Sequence, residues 1–226
     1  MPKYLLIFEK SESVRWLGHL DILRTFERAI RRAGLPVAFS TGFNPRERIS
    51  FASALSTGVT AGAEPAVLEL TEPVDPCVLL TDLNATLPPG IRIAECQEIP
   101  DAGSRDLLNS YDRADYEIVC ACSPEPDAAQ VESAILALLA RPEIEVVRAR
   151  EGRSRTLDIR PYLFALALVP ESLTANRLTL TMTAAIGEGG NAKPPEVVAL
   201  IAETVGGLTL RRSHRARLVC STVTAV

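Results

Sequence analysis

One helix near the start of the chain carries two stripes, and those stripes demand a second structural layer. At 100° per residue, Ile22, Phe26, Ala29, Ile30 and Ala33 fall on one arc, with Leu23 at its edge. Arg24, Arg28, Arg31 and Arg32 fall on another arc, beside Asp21. Gly34 suits a left-handed helix end and Pro36 prevents continuation. The helix must therefore bury its apolar face on a sheet while guanidinium groups face outward. Two readings stay open. The face is a solvated one, with Glu27 and Asp21 as partners, or it grips carboxylate or phosphate, for which the flat guanidinium is suited.

The flanking sequence supplies the sheet. Lys3 to Lys10 reads as a strand, Val37 to Phe43 and Ile49 to Leu55 as extended runs around an Asn44-Pro45 turn. Ala66 to Leu70 reads as a strand, Asp75 to Leu87 as a short helix ended by Pro88, Pro89 and Gly90, and Ile91 to Ile99 as a strand. The order is βαββαβ, with a further extended piece near Ser53 to Thr60, which is the ferredoxin-like pattern of two helices on one face of an antiparallel sheet. Residues 101–112 read as a linker. The pattern then restarts: strand Tyr116 to Cys122, helix Asp127 to Ala140 with Val131, Ile135, Leu138 and Leu139 inward, and extended runs 143–148, 156–159 and 162–169. Arg177 to Ala185 alternates as a strand should, Pro194-Pro195 opens a helix through Thr204, and Leu208 to Cys220 closes the order. The expectation is an α+β chain of two tandem ferredoxin-like domains, residues 1–100 and 113–226, the second with an added hairpin.

Composition excludes some classes. The 226 residues, 47% hydrophobic and 23% charged, suit a globular protein of one large or two small domains. No apolar run of about 18 residues is present, so no membrane-spanning helix is expected. The first ten residues meet charge too early for a signal peptide and read as a strand, so a cytoplasmic location is expected. The net charge of −4 hides an asymmetry: Met1 to Thr60 holds nine Lys/Arg against five Asp/Glu, +4, leaving −8 for the remainder. A local basic face can hold a polyanion even on an acidic chain.

The five cysteines are scattered, and Cys120 and Cys122 sit in an alternating run where both point to one sheet face. That spacing fits buried free thiols better than a metal site, and no phosphate-binding, dinucleotide or nucleophile-elbow motif is present. No metal and no cofactor are expected.

Chemistry has few candidates. His19 and His214 are the only histidines, so either is a candidate acid or base for metal-independent RNA cleavage. The alternative for His19 is a hydrogen-bonded core residue at the start of its helix, and for His214, in the basic segment Arg211-Arg-Ser-His-Arg215, a solvated edge strand or a phosphate contact. Arg46 and Arg48 would share one side of a strand, with Ser40, Thr41 and Ser50 nearby and Gly42 and Asn44 in the turn. Such arginine and hydroxyl sets hold phosphate backbones. Phe39, Phe43 and Phe51 are either core or stacking partners for unpaired bases. Arg15 and Trp16 precede the helix, Trp16 as a staple onto the sheet or a partner contact. Arg148, Arg150, Arg153 and Arg155 form a basic loop around Gly152, followed by Asp158 and Arg160, which either pair or meet a partner.

Phe8-Glu-Lys10, Arg15-Trp-Leu-Gly-His-Leu-Asp21, Arg28-Ala-Ile-Arg-Arg-Ala-Gly-Leu-Pro36, Ser40-Thr-Gly-Phe-Asn-Pro45 and Ile49-Ser-Phe51 resemble the radical SAM-linked domain of unknown function, DUF2344. Asp158-Ile-Arg-Pro-Tyr162 and Ser213-His-Arg215 are similar to that family's later motifs. Gly189-Gly-Asn-Ala-Lys-Pro-Pro195 departs from the Gly-Ser-x-Arg-Pro-like element usual there. The resemblance implies a module that works beside a radical SAM protein in an RNA-related setting, here without the cysteine cluster of the radical enzyme. The leading expectation is a non-catalytic RNA-binding module, with Arg15, Arg24, Arg28, Arg31, Arg32, Ser40, Gly42, Asn44, Arg46 and Arg48 as contacts. The alternatives are a protein-docking accessory of the radical SAM enzyme, using Trp16, Asp158 and Arg160, and an endoribonuclease similar to the Cas6 type.

Overall fold

The computed structural model describes residues 1–100, 103–124, 126–150, 152–187 and 189–220, with the side chains of Ser104, Arg105 and Arg150 outside that description. Its backbone divides into two units, residues 1–111 with Cys220 and residues 112–219. The architecture is α+β.

The first unit runs β1 (Lys3–Lys10), a 3-10 turn, α1 (His19–Arg32), β2 (Ile49–Phe51), β3 (Val59–Glu69), α2 (Pro76–Thr86), β4 (Ile91–Ile99) and α3 (Ser104–Asn109). β1 lies between β3 and β4, and β2 lies outside β3, every pair antiparallel. Alternation then decides the layers. Tyr4, Leu6 and Phe8 of β1 share a face with Ala66 and Leu68 of β3, and onto it pack Ile22, Phe26, Ala29 and Ile30 of α1 and Leu79 and Leu83 of α2. Phe26 meets Phe8 and Phe51 edge-on, with ring centroids 5.1 and 5.5 Å away. Each of these large side chains contributes about 1.5–3 kcal/mol by leaving water, so this stripe, not helix propensity, fixes α1.

Helix ends are satisfied locally. The Asp21 carboxylate accepts from the Gly18 N–H at 3.1 Å, and Asp75 accepts from the Cys77 and Val78 N–H groups ahead of α2. Asn84 of α2 pairs with both backbone groups of Ile93, tying helix to strand.

Three expectations need correction. The stretch 101–112 is not a bare linker: Asp101 and Ala102 lie outside the described residues, but α3 follows, and its Leu108 packs with Leu5 and Val67 on the sheet face opposite α1. Val37 to Phe43 is no regular strand, because only the bridges Val37↔Leu70 and Phe39↔Glu47 anchor it. Residues 52–58 form bends and a turn, and β3 begins at Val59.

The second unit holds, but for the terminal residues Tyr111 and Cys220, β5 (Tyr111–Cys122), α4 (Ala128–Leu139), β6 (Glu145–Arg150), β7 (Arg153–Asp158), β8 (Leu163–Leu168), β9 (Arg177–Ala185), α5 (Pro194–Val205) and β10 (Leu208–Cys220). Its sheet order is β10-β5-β9-β8, and β6 and β7 form a separate hairpin. Ile118, Cys120 and Cys122 of β5 and Leu178, Leu180 and Met182 of β9 face Val131, Ile135 and Leu138 of α4 and Val197, Val198 and Ile201 of α5. Among the described residues no helix is long and apolar enough to cross a membrane.

The Asp-Ile-Arg-Pro-Tyr segment is a brace. Asp158 Oδ1 accepts from the N–H groups of Ile144 and Arg160 at 2.8 and 2.9 Å. Arg160 donates to the Leu139 and Leu163 carbonyls. The two residues thus meet through the Arg160 backbone N–H and not as an ion pair, and both side chains are engaged in hydrogen bonds within the unit. Arg148 also leaves the basic loop: its guanidinium grips both Glu196 oxygens at 2.7 and 2.8 Å and the Asn191 carbonyl at 2.8 Å. Gly190 lies in the loop that departs from the family pattern. Its φ is 137°, and a Cβ there would lie 2.1 Å from the Tyr162 ring.

Candidate nucleic-acid interface

The 14 residues of α1 place Leu20, Arg24, Arg28 and Arg32 on one exposed row, four residues and about 6 Å apart at each step. Arg28 and Arg32 make no ion pair with any described residue, and Arg24 has only Asp21 at 3.9 Å. Arg31 does not belong to this row. Its Nε donates to the buried Glu47 carboxylate, which holds Glu47 below its ordinary pKa and raises that of Arg31. The alternation Arg46-Glu47-Arg48 was the signal for this inward acid, and charge counting alone passed over it.

Glu47 ties α1 to a loop that projects between Val37 and Arg48. Ser40 and Arg46 close it: the Ser40 N–H donates to the Arg46 carbonyl at 2.8 Å, and the Arg46 N–H donates to Ser40 Oγ at 3.0 Å. Its tip holds Thr41, Gly42, Phe43 and Asn44, all exposed, with Gly42 at φ 128° and Phe43 fully exposed. Phe39 is 48% exposed, whereas Phe51 packs against Phe8, Phe26 and His19. Of the three phenylalanines, then, one is core and two face outward.

Arg48 leaves the proposed set. It donates to Glu69 at 2.7 Å and lines, with Lys3, Ser50, Glu69 and Asp106, a cavity of about 540 Å³ on the α3 side of the sheet. Strand alternation puts Arg48 and Glu47 on opposite faces. Arg15 is half-buried, pairs with Glu12 and covers the Trp16 ring, its Cζ 4.6 Å from the centroid. Trp16 itself is 67% exposed and Leu20 62%.

The two histidines belong to different units. His19 opens α1, half-buried, its ring edge-on to Phe51 at 5.6 Å. His214 is half-buried in β10, where burial lowers its pKa against the opposing pull of Glu117. Among the described residues no three His, Cys, Asp or Glu side chains converge as metal ligands would.

A family model, that of an uncharacterized protein conserved in bacteria (DUF2344), matches residues 3–194. The chain belongs to DUF2344. No curated protein matches it. Among solved structures, this DUF2344 chain is similar to a chain of a Cbf5-Nop10-Gar1 complex, with a TM-score of 0.56 and 10% identity over 95% of this chain and 48% of the other. A chain of the archaeal box H/ACA sRNP Nop10-Cbf5 complex gives a TM-score of 0.51 and 9% identity over 95% and 47%. The DUF2344 chain spans about half the length of these chains, and at such identity the likeness is one of fold.

Proposed function

We propose that this chain is a non-catalytic RNA-binding module that serves RNA processing or modification beside a radical SAM partner. The observation that carries it is the Arg24, Arg28 and Arg32 row together with the loop tied to the same helix and tipped by exposed Phe43. A row of exposed guanidiniums, of which Arg28 and Arg32 have no ion pair among the described residues, suits successive phosphates, and outward aromatics suit unpaired bases. The similar fold of a chain from a box H/ACA sRNP, a ribonucleoprotein, supports an RNA setting. The radical SAM partner rests on the family resemblance alone. We also read each unit as ferredoxin-like, supported by the βαββαβ element order and by the sheet orders β4-β1-β3-β2 and β10-β5-β9-β8.

The test is fluorescence anisotropy with labelled, unstructured RNA between about 50 and 200 mM salt. The wild type should bind with affinity falling steeply in salt. A variant carrying Arg24→Glu, Arg28→Glu and Arg32→Glu should lose binding and keep its melting temperature. Absence of binding at low salt would sink the reading. It would favour a protein-docking role instead, for which exposed Trp16 and Leu20 are the specific support.

A further inference from the structure

The open face of the second sheet carries a pattern of charge that stops short. From Asp115 onward along β5, the residues facing away from α4 and α5 are Asp115, Glu117, Val119 and Ala121, since Ile118, Cys120 and Cys122 face the core. The two acids are answered from β10: Arg217 Nε donates to Asp115 at 2.8 Å and Arg212 Nη2 donates to Glu117 at 2.7 Å. Beyond them β5 offers only Val119 and Ala121. The arginines continue nonetheless. Arg177 of β9 lies in register with Ala121, and Arg211 stands on β10, on the other side of β5. Both are exposed and neither pairs with a described acid.

These two guanidiniums flank a cavity of about 810 Å³ with Val119 and Ala121 on its lining. Ser123, Asn176 and Thr209 add polar groups at its rim. The described ionisable groups other than thiols that line it are the two arginines, so it favours an anion. Strands two apart put the backbones that carry Arg177 and Arg211 roughly 10 Å from each other, a span that two arginine side chains can bridge to one phosphate, with room beside it for a flat ring. The small side chains of Val119 and Ala121 leave a shallow apolar floor on which such a ring can lie.

We propose that this cavity is a nucleotide subsite, taking a base on the Val119 and Ala121 floor and a phosphate between Arg177 and Arg211. The ligand is a free nucleotide or one nucleotide of an RNA chain, since both present the same chemistry. The site lies in the other unit from α1 and stands on its own observations.

Isothermal titration of the full chain with adenosine 5′-monophosphate tests it, with adenosine and inorganic phosphate as partial probes. The nucleotide should bind more tightly than either part. Arg177→Ala and Arg211→Ala should each weaken it about tenfold, the scale of a lost charge-assisted hydrogen bond. Ala121→Glu, which supplies the missing acid opposite Arg177, should abolish binding while unchanged melting shows an intact fold. An oligoadenylate of about six nucleotides that binds more tightly, with the same variants weakening it, identifies an RNA chain as the source; equal affinity identifies the free nucleotide. The triple α1 variant should leave nucleotide binding unchanged, so failure of the α1 reading and failure of this one are separable. The proposal is overturned if the wild type does not bind the nucleotide at low salt, if phosphate alone binds as well, or if the Arg177→Ala, Arg211→Ala double variant binds equally.

Discussion

Arg31 of α1 donates from Nε to the carboxylate of Glu47, and the pair joins a mostly exposed cation to a buried anion. The second Glu47 oxygen is buried without a hydrogen-bond partner among the described residues, so the ionised form depends on Arg31. The folded-state pKa of Glu47 lies below its ordinary value of 4.5. Its stabilisation is therefore complete above about that pH and is lost as pH falls through the depressed value. Glu47→Gln should flatten the acid limb of a melting-temperature profile measured below pH ~4.5. Arg31→Met should lower the melting temperature at neutral pH and recover part of the loss on acidification, when the stranded carboxyl takes a proton. Parallel profiles for all three proteins would count against the latch.

Phe43 and the α1 row should behave as a surface, not as structure. Phe43→Ala should weaken binding to unstructured RNA by about 1–3 kcal/mol, the contribution of one stacked base, without moving the melting temperature. Each of Arg28→Ala and Arg32→Ala should reduce the salt slope by roughly 0.7, whereas Arg48→Ala should leave it unchanged because Arg48 serves Glu69 on the other sheet face. Equal effects from Arg48 and Arg28 would mean that the row is not the contact.

How far such residues can be read from sequence depends on the range of the interaction. The α1 stripe was legible because helical periodicity is local, and the boundaries of β1, β4, β9 and β10 were legible because alternation and turn residues mark them. The destinations of the arginines were not. Arg31, Arg48 and Arg148 meet Glu47, Glu69 and Glu196, which lie 16, 21 and 48 residues away in sequence. Nothing local distinguishes these from the uncompensated Arg28 or Arg177. The same limit hid the role of Asp158, whose carboxylate serves the amide of Ile144 as well as that of nearby Arg160.

Gly190 is a packing position. A methyl group there would need to enter the Tyr162 ring, and the φ of 137° adds backbone strain. Gly190→Ala should cost roughly 2–4 kcal/mol, visible as a lowered urea midpoint. Tyr162→Ala should relieve part of that cost in the double variant, because the clash disappears while the strain stays. Additive losses would show that the ring is not the obstacle.

Thiol reactivity offers an independent check on the layers. Cys77 is exposed, whereas burial pushes Cys96 up to about 11 and Cys120 to about 12, and Cys122 is also buried. A thiol reagent at neutral pH should label Cys77 first, because the thiolate is the reactive form. Cys120 and Cys122 should react only as the second unit unfolds. Peptide mass spectrometry after timed quenching distinguishes the sites, and early labelling of Cys120 would contradict its placement beneath α4 and α5.

Lys10 has its side chain inside the first unit, and its ammonium donates to the carbonyls of Arg15 and Leu17 at 2.8 and 2.7 Å. Those carbonyls bracket Trp16, so a buried cation fixes the turn that displays the only tryptophan of the chain. The Gly58 N–H reinforces it through the Arg15 carbonyl at 2.8 Å, and the benzo end of the indole rests near Gly58. Lys10→Met keeps much of the apolar stem and removes the donors, leaving the Leu17 carbonyl short of a partner, at a cost of about 2 kcal/mol. Trp16 reports the change directly. Its fluorescence anisotropy should fall in Lys10→Met at temperatures where circular dichroism still shows native secondary structure, since the turn loosens before the sheet. If anisotropy and ellipticity were lost together, Lys10 would be holding the whole unit and not the turn.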